Sequence, residues 1–217
     1  MFRNALFLPV IILGALFITS PAQGQKQVDM DRVMQENPDL YKGSFTRFGI
    51  GFSRSSFNYT LGFEGMVLNP LHFNIDFGKR MSQKYGTYFT ISGDVLLKEV
   101  QDGFDWINHW VQGGMYVGGI FYILGGRSYV SPEVGLGIHN FDYSLYQISG
   151  SFDVYALGIG SMLKYGYERH VTGKLYIGLQ AYLSYTYTWE IDVADAVNLP
   201  TASSFMYGIA INFKLGK

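Results

Sequence analysis

The sequence predicts an all-β protein: a closed antiparallel up-and-down transmembrane β-barrel, most simply of eight strands. Three observations indicate this fold. Apolar and polar residues alternate along most of the chain from residue 44 onward, as they do in β-strands with one apolar and one polar face. The charged residues inside these alternating runs fall on the polar face. Long polar connections also alternate with tight turns, as in barrels that cross a membrane with short turns on one side and long loops on the other.

The composition supports a β-rich protein. Of the 217 residues, 17% are aromatic and only 15% are charged, and 27 are glycine, whereas average proteins contain about 25% charged residues. The net charge of −1 predicts no nucleic-acid partner, because no excess of basic residues is present. The chain contains no cysteine, which excludes disulfides and cysteine metal sites. No cofactor is expected.

The first 24 residues have the pattern of a cleaved signal peptide. Arg3 precedes an apolar run over residues 5–17, and the small residues of 20–24 end in a predicted cleavage site after Gly24. The apolar run is shorter than the roughly 20 residues that a membrane-spanning helix needs. Residues 25–43 are polar and are expected to form a periplasmic leader, with a plug or docking role left open. The barrel is predicted over residues 44–217.

Residues 174–189 show the alternation most clearly. Odd positions from Leu175 to Trp189 are apolar or aromatic, and even positions from Lys174 to Thr188 are polar or small. The apolar face carries no charge, and its aromatic residues gather at one end, as they do at a membrane interface. This pattern predicts a membrane-crossing strand.

The same alternation predicts the outward-facing residues of the other segments. In chain order these sets are Phe48, Ile50 and Phe52; Phe57, Tyr59, Leu61 and Phe63; Leu71, Phe73, Ile75 and Phe77; Phe89, Ile91, Val95 and Leu97; Met115, Val117, Phe121 and Ile123; Val130, Val134, Leu136 and Ile138; Tyr155, Leu157, Ile159, Leu163 and Tyr165; and Phe205, Tyr207, Ile209, Ile211 and Phe213. A β-sandwich, or a soluble barrel with its apolar face inward, would alternate in the same way.

The strand count depends on residues 44–78, which contain three strand-like pieces where an even number of barrel strands needs two. Either residues 57–78 form one long strand bent at Asn69 and Pro70, with a first outer loop at 54–56, or one piece lies outside the barrel. We prefer the bent strand. Ten strands would require one more from the polar leader.

This combination resembles the small outer-membrane β-barrels of the OmpA transmembrane-domain and OmpX type. The resemblance covers residues 44–217 and implies the outer membrane of a Gram-negative bacterium, with its lipid as a partner. It also implies that the barrel-assembly machinery reads the closing strand at 203–215, although Leu215, Gly216 and Lys217 follow the last aromatic residue. The OmpA-type peptidoglycan-binding domain is absent from the sequence, so cell-wall anchoring is not expected.

The interior of an eight-stranded barrel is just filled by side chains. Inward glycines would leave room for tyrosines, and inward charges would have to be paired. The predicted polar network of the lumen consists of Arg47, Glu64, Asp76, Asp94, Glu133, Lys164, Lys174 and Lys214. A structural, side-chain-filled lumen is the main interpretation, and a narrow or gated pore is the alternative. On these faces, Leu179→Arg should be costly near the midplane and Gln180→Arg milder.

The long connections contain aromatic residues. The predicted contact residues of the outer loops are Phe104, Trp106, Trp110, Phe141, Tyr143 and Tyr146. Exposed aromatic residues favour contacts with a surface protein or host ligand. The alternative is that these strands extend beyond the membrane and their aromatic residues belong to the outer girdle.

A rim-located lipid-modifying enzyme or protease is a further alternative. Its candidates are His109 with Asp102 and Asp105, facing Asp192, Asp195, Ser144, Ser149 or Ser151, while Ser131, Glu133 and His139 share the lumen face of one strand. No known catalytic spacing is present. The sequence therefore predicts a non-catalytic barrel with a structural or surface-interaction role.

Overall fold

The computed structural model describes residues 42–60, 63–96, 100–102, 105–123, 126–144, 151–191 and 200–216. The predicted signal peptide, and the predicted leader up to residue 41, lie outside these residues. Among the described residues, no helix is long and apolar enough to cross a membrane.

The described residues form ten β-strands. They are β1 (Gly43–Tyr59), β2 (Phe63–Leu68), β3 (Leu71–Arg80), β4 (Tyr85–Leu96), β5 (Val100–Asp102), β6 (Asp105–Ile123), β7 (Ser128–Ser144), β8 (Ser151–Thr172), β9 (Leu175–Glu190) and β10 (Thr201–Gly216).

The strands form one closed antiparallel barrel. Around the ring the strands follow the order β1, β3, β4, β6, β7, β8, β9 and β10, and β10 closes the ring on β1 from Phe45↔Gly216 to Tyr59↔Ala202. β2 and β3 both pair with β1, and β4 and β5 both pair with β6, so each pair is one interrupted barrel strand. When each interrupted pair is counted as one strand, the ten strands form eight barrel strands, which confirms the predicted fold class.

The barrel has two different ends. At the turn end lie the β3–β4, β6–β7 and β8–β9 connections, together with the start of β1 and the end of β10. At the loop end lie the connections between β1 and β2, β4 and β6, β7 and β8, and β9 and β10. Short turns at one end and longer loops at the other are typical of membrane barrels.

The first hairpin corrects the predicted strand boundaries. β1 runs without a break through residues 54–56, which were expected to form the first outer loop, and the chain turns only between Tyr59 and Phe63. The predicted bend at Asn69 and Pro70 is present between β2 and β3. Proline has no backbone N–H to donate to a ladder, and the Pro70 carbonyl instead accepts a hydrogen bond from the Ser53 N–H at 3.0 Å.

Most of the outer surface is an apolar belt. The predicted outward face of β9 is confirmed: Leu179, Leu183 and Tyr185 are exposed, while Gln180 and Tyr182 between them are buried. The predicted outward sets of the glycine-rich β6 and of β10 are exposed in the same way. We call the part of the barrel with this belt the membrane section, since such a surface requires lipid.

The outward face of β1 changes character towards the loop end. Phe48, Ile50 and Phe52 are exposed members of the belt, but the next outward residues are Arg54, Ser56 and Asn58. Phe57 and Tyr59, which were predicted to face outward, are buried in the interior. At this end of β1 the outward residues are polar and the inward residues apolar, and we call the part of the barrel at this end the loop-end section.

A bulge accounts for a further change of face. In β2 the ladder with β1 moves from Phe57↔Met66 to Tyr59↔Phe63, so β2 contains one extra residue near Gly65, whose φ is 64°. An extra residue reverses which side chains point inward. Phe63 and Met66 are therefore both buried, although their positions differ by an odd number.

Candidate functional site

The membrane section encloses a chain of ion pairs. Lys214 Nζ lies 2.8 Å from Glu168 Oε2, and Glu168 Oε1 lies 2.5 Å from Arg47 Nη2. Arg47 Nη1 lies 2.9 Å from Asp76 Oδ2. These contacts join β10, β8, β1 and β3 across the lumen.

Lys164 continues the chain from Asp76. Its Nζ lies 3.1 Å from Asp76 Oδ1 and 2.8 Å from Glu133 Oε1. Glu133 also accepts a hydrogen bond from the hydroxyl of Tyr88, which contacts Ser131. Signs alternate along the chain, and its three basic and three acidic side chains are each at most 4% exposed. The cluster is electrically balanced, which is the condition for burying charge in a barrel core.

Aromatic rings line the turn-end side of this network. Arg47 Cζ lies 4.4 Å from the centre of the Tyr129 ring, and Arg80 Cζ lies 3.8 Å from that of Tyr122. Such cation–π contacts supplement the ion pairs at a site sheltered from water. The network and the rings together fill the lumen at this level.

A second polar cluster lies nearer the loop end. Asp94 Oδ1 lies 2.9 Å from His72 Nδ1 and accepts hydrogen bonds from Ser53 Oγ at 3.0 Å and Tyr182 Oη at 3.3 Å. These are the residue types of a catalytic triad, but the serine donates to the aspartate and not to the histidine. His72 and Asp94 are at most 2% exposed. The cluster therefore has neither the connectivity nor the access that nucleophilic catalysis requires.

The loop-end section is closed by an apolar core, which we call the loop-end core. Its buried members are Phe57, Tyr59, Phe63, Met66, Leu68, Ile107, Trp110, Phe141, Tyr143, Val154, Ala156 and Ala202. Phe57 packs edge-on against Trp110 and Phe141, with ring centroids 5.9 and 5.0 Å apart. His139 lies at the edge of the loop-end core. The His139 ring is 5.6 Å from that of Phe57, and His139 Nδ1 is 2.9 Å from Thr188 Oγ1.

The eight predicted lumen residues have three different locations. Arg47, Asp76, Glu133, Lys164 and Lys214 lie in the ion-pair chain, and Asp94 lies in the His72 cluster. Glu64 and Lys174 instead lie exposed at the surface. Glu64 adjoins the bulge at Gly65, and Lys174 belongs to the turn between β8 and β9, so neither follows the inward alternation.

Glu168 completes the network but was absent from the predicted set. It lies four residues after Lys164 on β8, and an even spacing places both side chains on the same face. That Gln180→Arg is milder than Leu179→Arg stays a prediction, and the surroundings of Gln180 show what the arginine would meet. Gln180 is 1% exposed and its Oε1 accepts hydrogen bonds from Tyr129 Oη and Asn212 Nδ2, so arginine would add an unpaired charge to a filled lumen.

The predicted outer-loop contact residues do not form one exposed surface. Trp110, Phe141 and Tyr143 point inward into the loop-end core, and Trp106 is half-buried on β6. Phe104 and Tyr146 lie outside the described residues. The inward position of Phe141 follows from its strand, because it shares the parity of the buried lumen residues Glu133 and His139.

Of the rim candidates for catalysis, the structure describes the side chains of His109 and Ser144. His109 Nε2 lies 3.3 Å from Asn140 Oδ1, which is not a carboxylate that could orient it as a base. The side chains of Asp102, Asp105 and Ser151, and the whole of Ser149, Asp192 and Asp195, lie outside the described part. Within that part, no group of three or more histidine and carboxylate side chains could hold a metal ion.

Comparison with known proteins gives structural neighbours only. No protein-family model matches the chain, and no curated protein matches its sequence. Ail, the attachment invasion locus protein of Yersinia pestis, superposes with a TM-score of 0.51 at 12% identity, over 78% of this chain and 98% of Ail. Ail in complex with the heparin analogue sucrose octasulfate gives a TM-score of 0.50 at 13% identity, over the same shares of the two chains.

A third neighbour is Neisserial surface protein A, with a TM-score of 0.49, 10% identity, and coverage of 78% of this chain and 95% of that protein. At such low identity the similarity to Ail concerns the fold. With the closed sheet, the apolar belt and the polar lumen described above, it establishes that this chain has the fold of the small outer-membrane β-barrels.

Proposed function

We propose that the chain is a non-catalytic outer-membrane β-barrel of a Gram-negative bacterium that holds a rigid loop end above the membrane for contacts at the cell surface. The observation that carries this proposal is the loop-end section. The outward residues of β1 in this section, Arg54, Ser56 and Asn58, are polar and suit water, and the aromatic core of the section supports the ends of the strands from which the long loops leave.

The filled lumen supports this role over that of a pore. An ion entering from the loop end would meet the loop-end core first and then the balanced ion pairs, and neither offers a hydrated path. In planar bilayers we expect no steady current from the folded protein. A stable open channel would contradict the closed lumen.

Partners follow from the surface that each section presents. Lipid would contact the apolar belt. The barrel-assembly machinery would contact β10, where the predicted 203–215 segment carries alternating exposed residues such as Phe205, Ile209 and Phe213.

At the loop end, the charged side chains that the structure describes outside the core are Arg54, Glu64, Asp142, Asp153 and Glu190. This acidic excess does not favour a polysulfated ligand of the kind bound to Ail, so a neutral or basic surface is the better partner.

Surface labelling tests the location and the orientation together. Because the chain has no cysteine, Glu64→Cys and Lys174→Cys each introduce a single thiol at an exposed position, one at each end of the barrel. A maleimide that cannot cross membranes should label the cysteine at position 64 on intact cells and label that at position 174 only after lysis. Labelling of position 174 alone on intact cells would reverse the proposed orientation, and labelling of neither would exclude surface exposure.

A further inference from the structure

The turn end of the barrel has a basic rim. Its exposed charged side chains are Lys42, Lys79, Lys84, Arg127, Arg169 and Lys174, and the described residues of this end include no exposed carboxylate. The loop end has the opposite charge balance, because its described charged side chains outside the core are four carboxylates and one arginine. Basic side chains beside an apolar belt are placed to meet anionic headgroups.

One part of the belt next to this rim contains a groove. Its floor is a row of neighbouring residues on four strands, established by the register pairs Ser44↔Lys79, Lys79↔Thr87 and Thr87↔Gly119. Apart from Lys79, these residues are small. The floor therefore lies below the level of the larger side chains around it.

Bulky apolar residues form both walls of the groove. On the loop side lies the row of Phe77, Phe89 and Val117, joined by the pairs Phe77↔Phe89 and Phe89↔Val117. On the turn side lie Tyr85 and Phe121, which pair with each other and have ring centroids 5.5 Å apart. Phe77, Phe89, Val117 and Tyr85 line one shallow, open concavity together with the floor residues.

Glycine at position 119 keeps the floor clear at its β6 end. A Cβ added there would lie 3.3 Å from a ring carbon of Phe121 and 3.4 Å from one of Tyr85. A larger side chain would therefore occupy the space between the walls. Lys79, in the same row, places an ammonium group within reach of whatever lies in the groove.

We propose that this groove binds one acyl chain of an anionic phospholipid, whose phosphate pairs with Lys79. An apolar groove in a lipid-facing surface fits a hydrocarbon chain, and a cation in the floor of the groove fits the negative charge of the headgroup. A hydrated anionic polymer would suit the exposed turns of the rim but not a channel with phenylalanine walls. The inference rests on the transmembrane fold and deepens the proposed function by naming a specific lipid contact.

Native mass spectrometry of the folded chain in detergent micelles tests this site. Phosphatidylglycerol and phosphatidylcholine with identical acyl chains are added in equal amounts, and the retained lipids are counted. We expect preferential retention of phosphatidylglycerol. Lys79→Gln should reduce that preference roughly fivefold, which corresponds to the ~1 kcal/mol of one basic residue near an anionic membrane surface.

Variants of the floor separate the acyl-chain contact from the charge contact. Gly119→Leu should reduce the retention of both lipids by filling the groove, and Thr87→Leu provides a second filling variant should the first not fold. Arg169→Gln is the matched control, because Arg169 is an exposed cation of the same rim on β8, away from the groove. It should leave the preference unchanged.

Three results would overturn the site. Equal retention of the two lipids would remove the anion preference, and an equal effect of Arg169→Gln and Lys79→Gln would indicate a diffuse rim. Displacement of phosphatidylglycerol by inorganic phosphate would show that the charge alone is recognised. Because these measurements are made in micelles, their failure is distinguishable from failure of the cell-surface labelling.

Discussion

The membrane section and the loop-end section of this barrel are patterned in opposite ways on the same strand. On β1, Ile50 is 59% exposed and Arg47 is fully buried, whereas further along Ser56 faces outward and Phe57 is fully buried. Between these positions the outward residues change from apolar to polar, and the inward residues change from charged to apolar. Alternation therefore defines two faces of a strand, but the surrounding solvent decides which face is apolar.

The two interiors are also held together by different forces. Ion pairs and hydrogen bonds cross the membrane section, where removal of one charge leaves the buried chain of ion pairs with an uncompensated charge. Edge-on aromatic packing fills the loop-end section. The stability of the membrane section therefore depends on the balance of its buried charges, and that of the loop-end section depends on how well its side chains fill the interior volume.

Removal of Arg47 is the strongest test of the charge-balanced interior. Arg47→Met leaves Asp76 and Glu168 without their shared partner, and we expect a loss of about 3–5 kcal/mol in the free energy of unfolding. Lys174→Met, which removes an exposed charge from a turn, should change this free energy by less than about 0.5 kcal/mol. Guanidinium unfolding in phospholipid vesicles measures both. If Arg47→Met and Lys174→Met lowered the free energy of unfolding by similar amounts, the buried ion-pair chain would contribute no more to stability than an exposed charge does.

A lysine scan along the outward face of β1 locates the boundary between the sections. Ile50→Lys places a charge in the apolar belt and should cost about 2–4 kcal/mol, while Ser56→Lys, where the outward residues of β1 are polar, should cost about 0–1 kcal/mol. The same unfolding measurement applies. If Ser56→Lys were as costly as Ile50→Lys, the belt would extend over the loop-end section and the proposed boundary would be wrong.

Tryptophan quenching compares the sections without altering stability greatly. Trp189 is 39% exposed on the outward face of β9, and Trp110 is fully buried in the loop-end core. With the other two tryptophans replaced by phenylalanine, Trp189 should be quenched by brominated acyl chains and Trp110 should not. Quenching of Trp110 to the same degree would place it outside the interior.

The main error of the sequence interpretation came from the boundary between the sections. The apolar residues of β1 change parity between Phe52 and Phe57, and this change was interpreted as a turn at 54–56. In the structure the strand is continuous, and its outward residues change from apolar to polar at this point. The same reasoning explains Phe141 and Tyr143, which were predicted to form outer contacts and instead fill the interior above the membrane.

The sequence by itself determined the class of fold, the outward face of strands such as β9 and β10, and most of the buried charges, because these follow from a period of two residues. The tertiary structure alone decided which charges meet, through the shared contacts of Arg47 with Asp76 and Glu168 from separate strands. It also placed Glu64 outside the lumen through the extra residue near Gly65. A local period cannot encode such facts, because a bulge reverses the faces of a strand and closure of the barrel brings distant strands together.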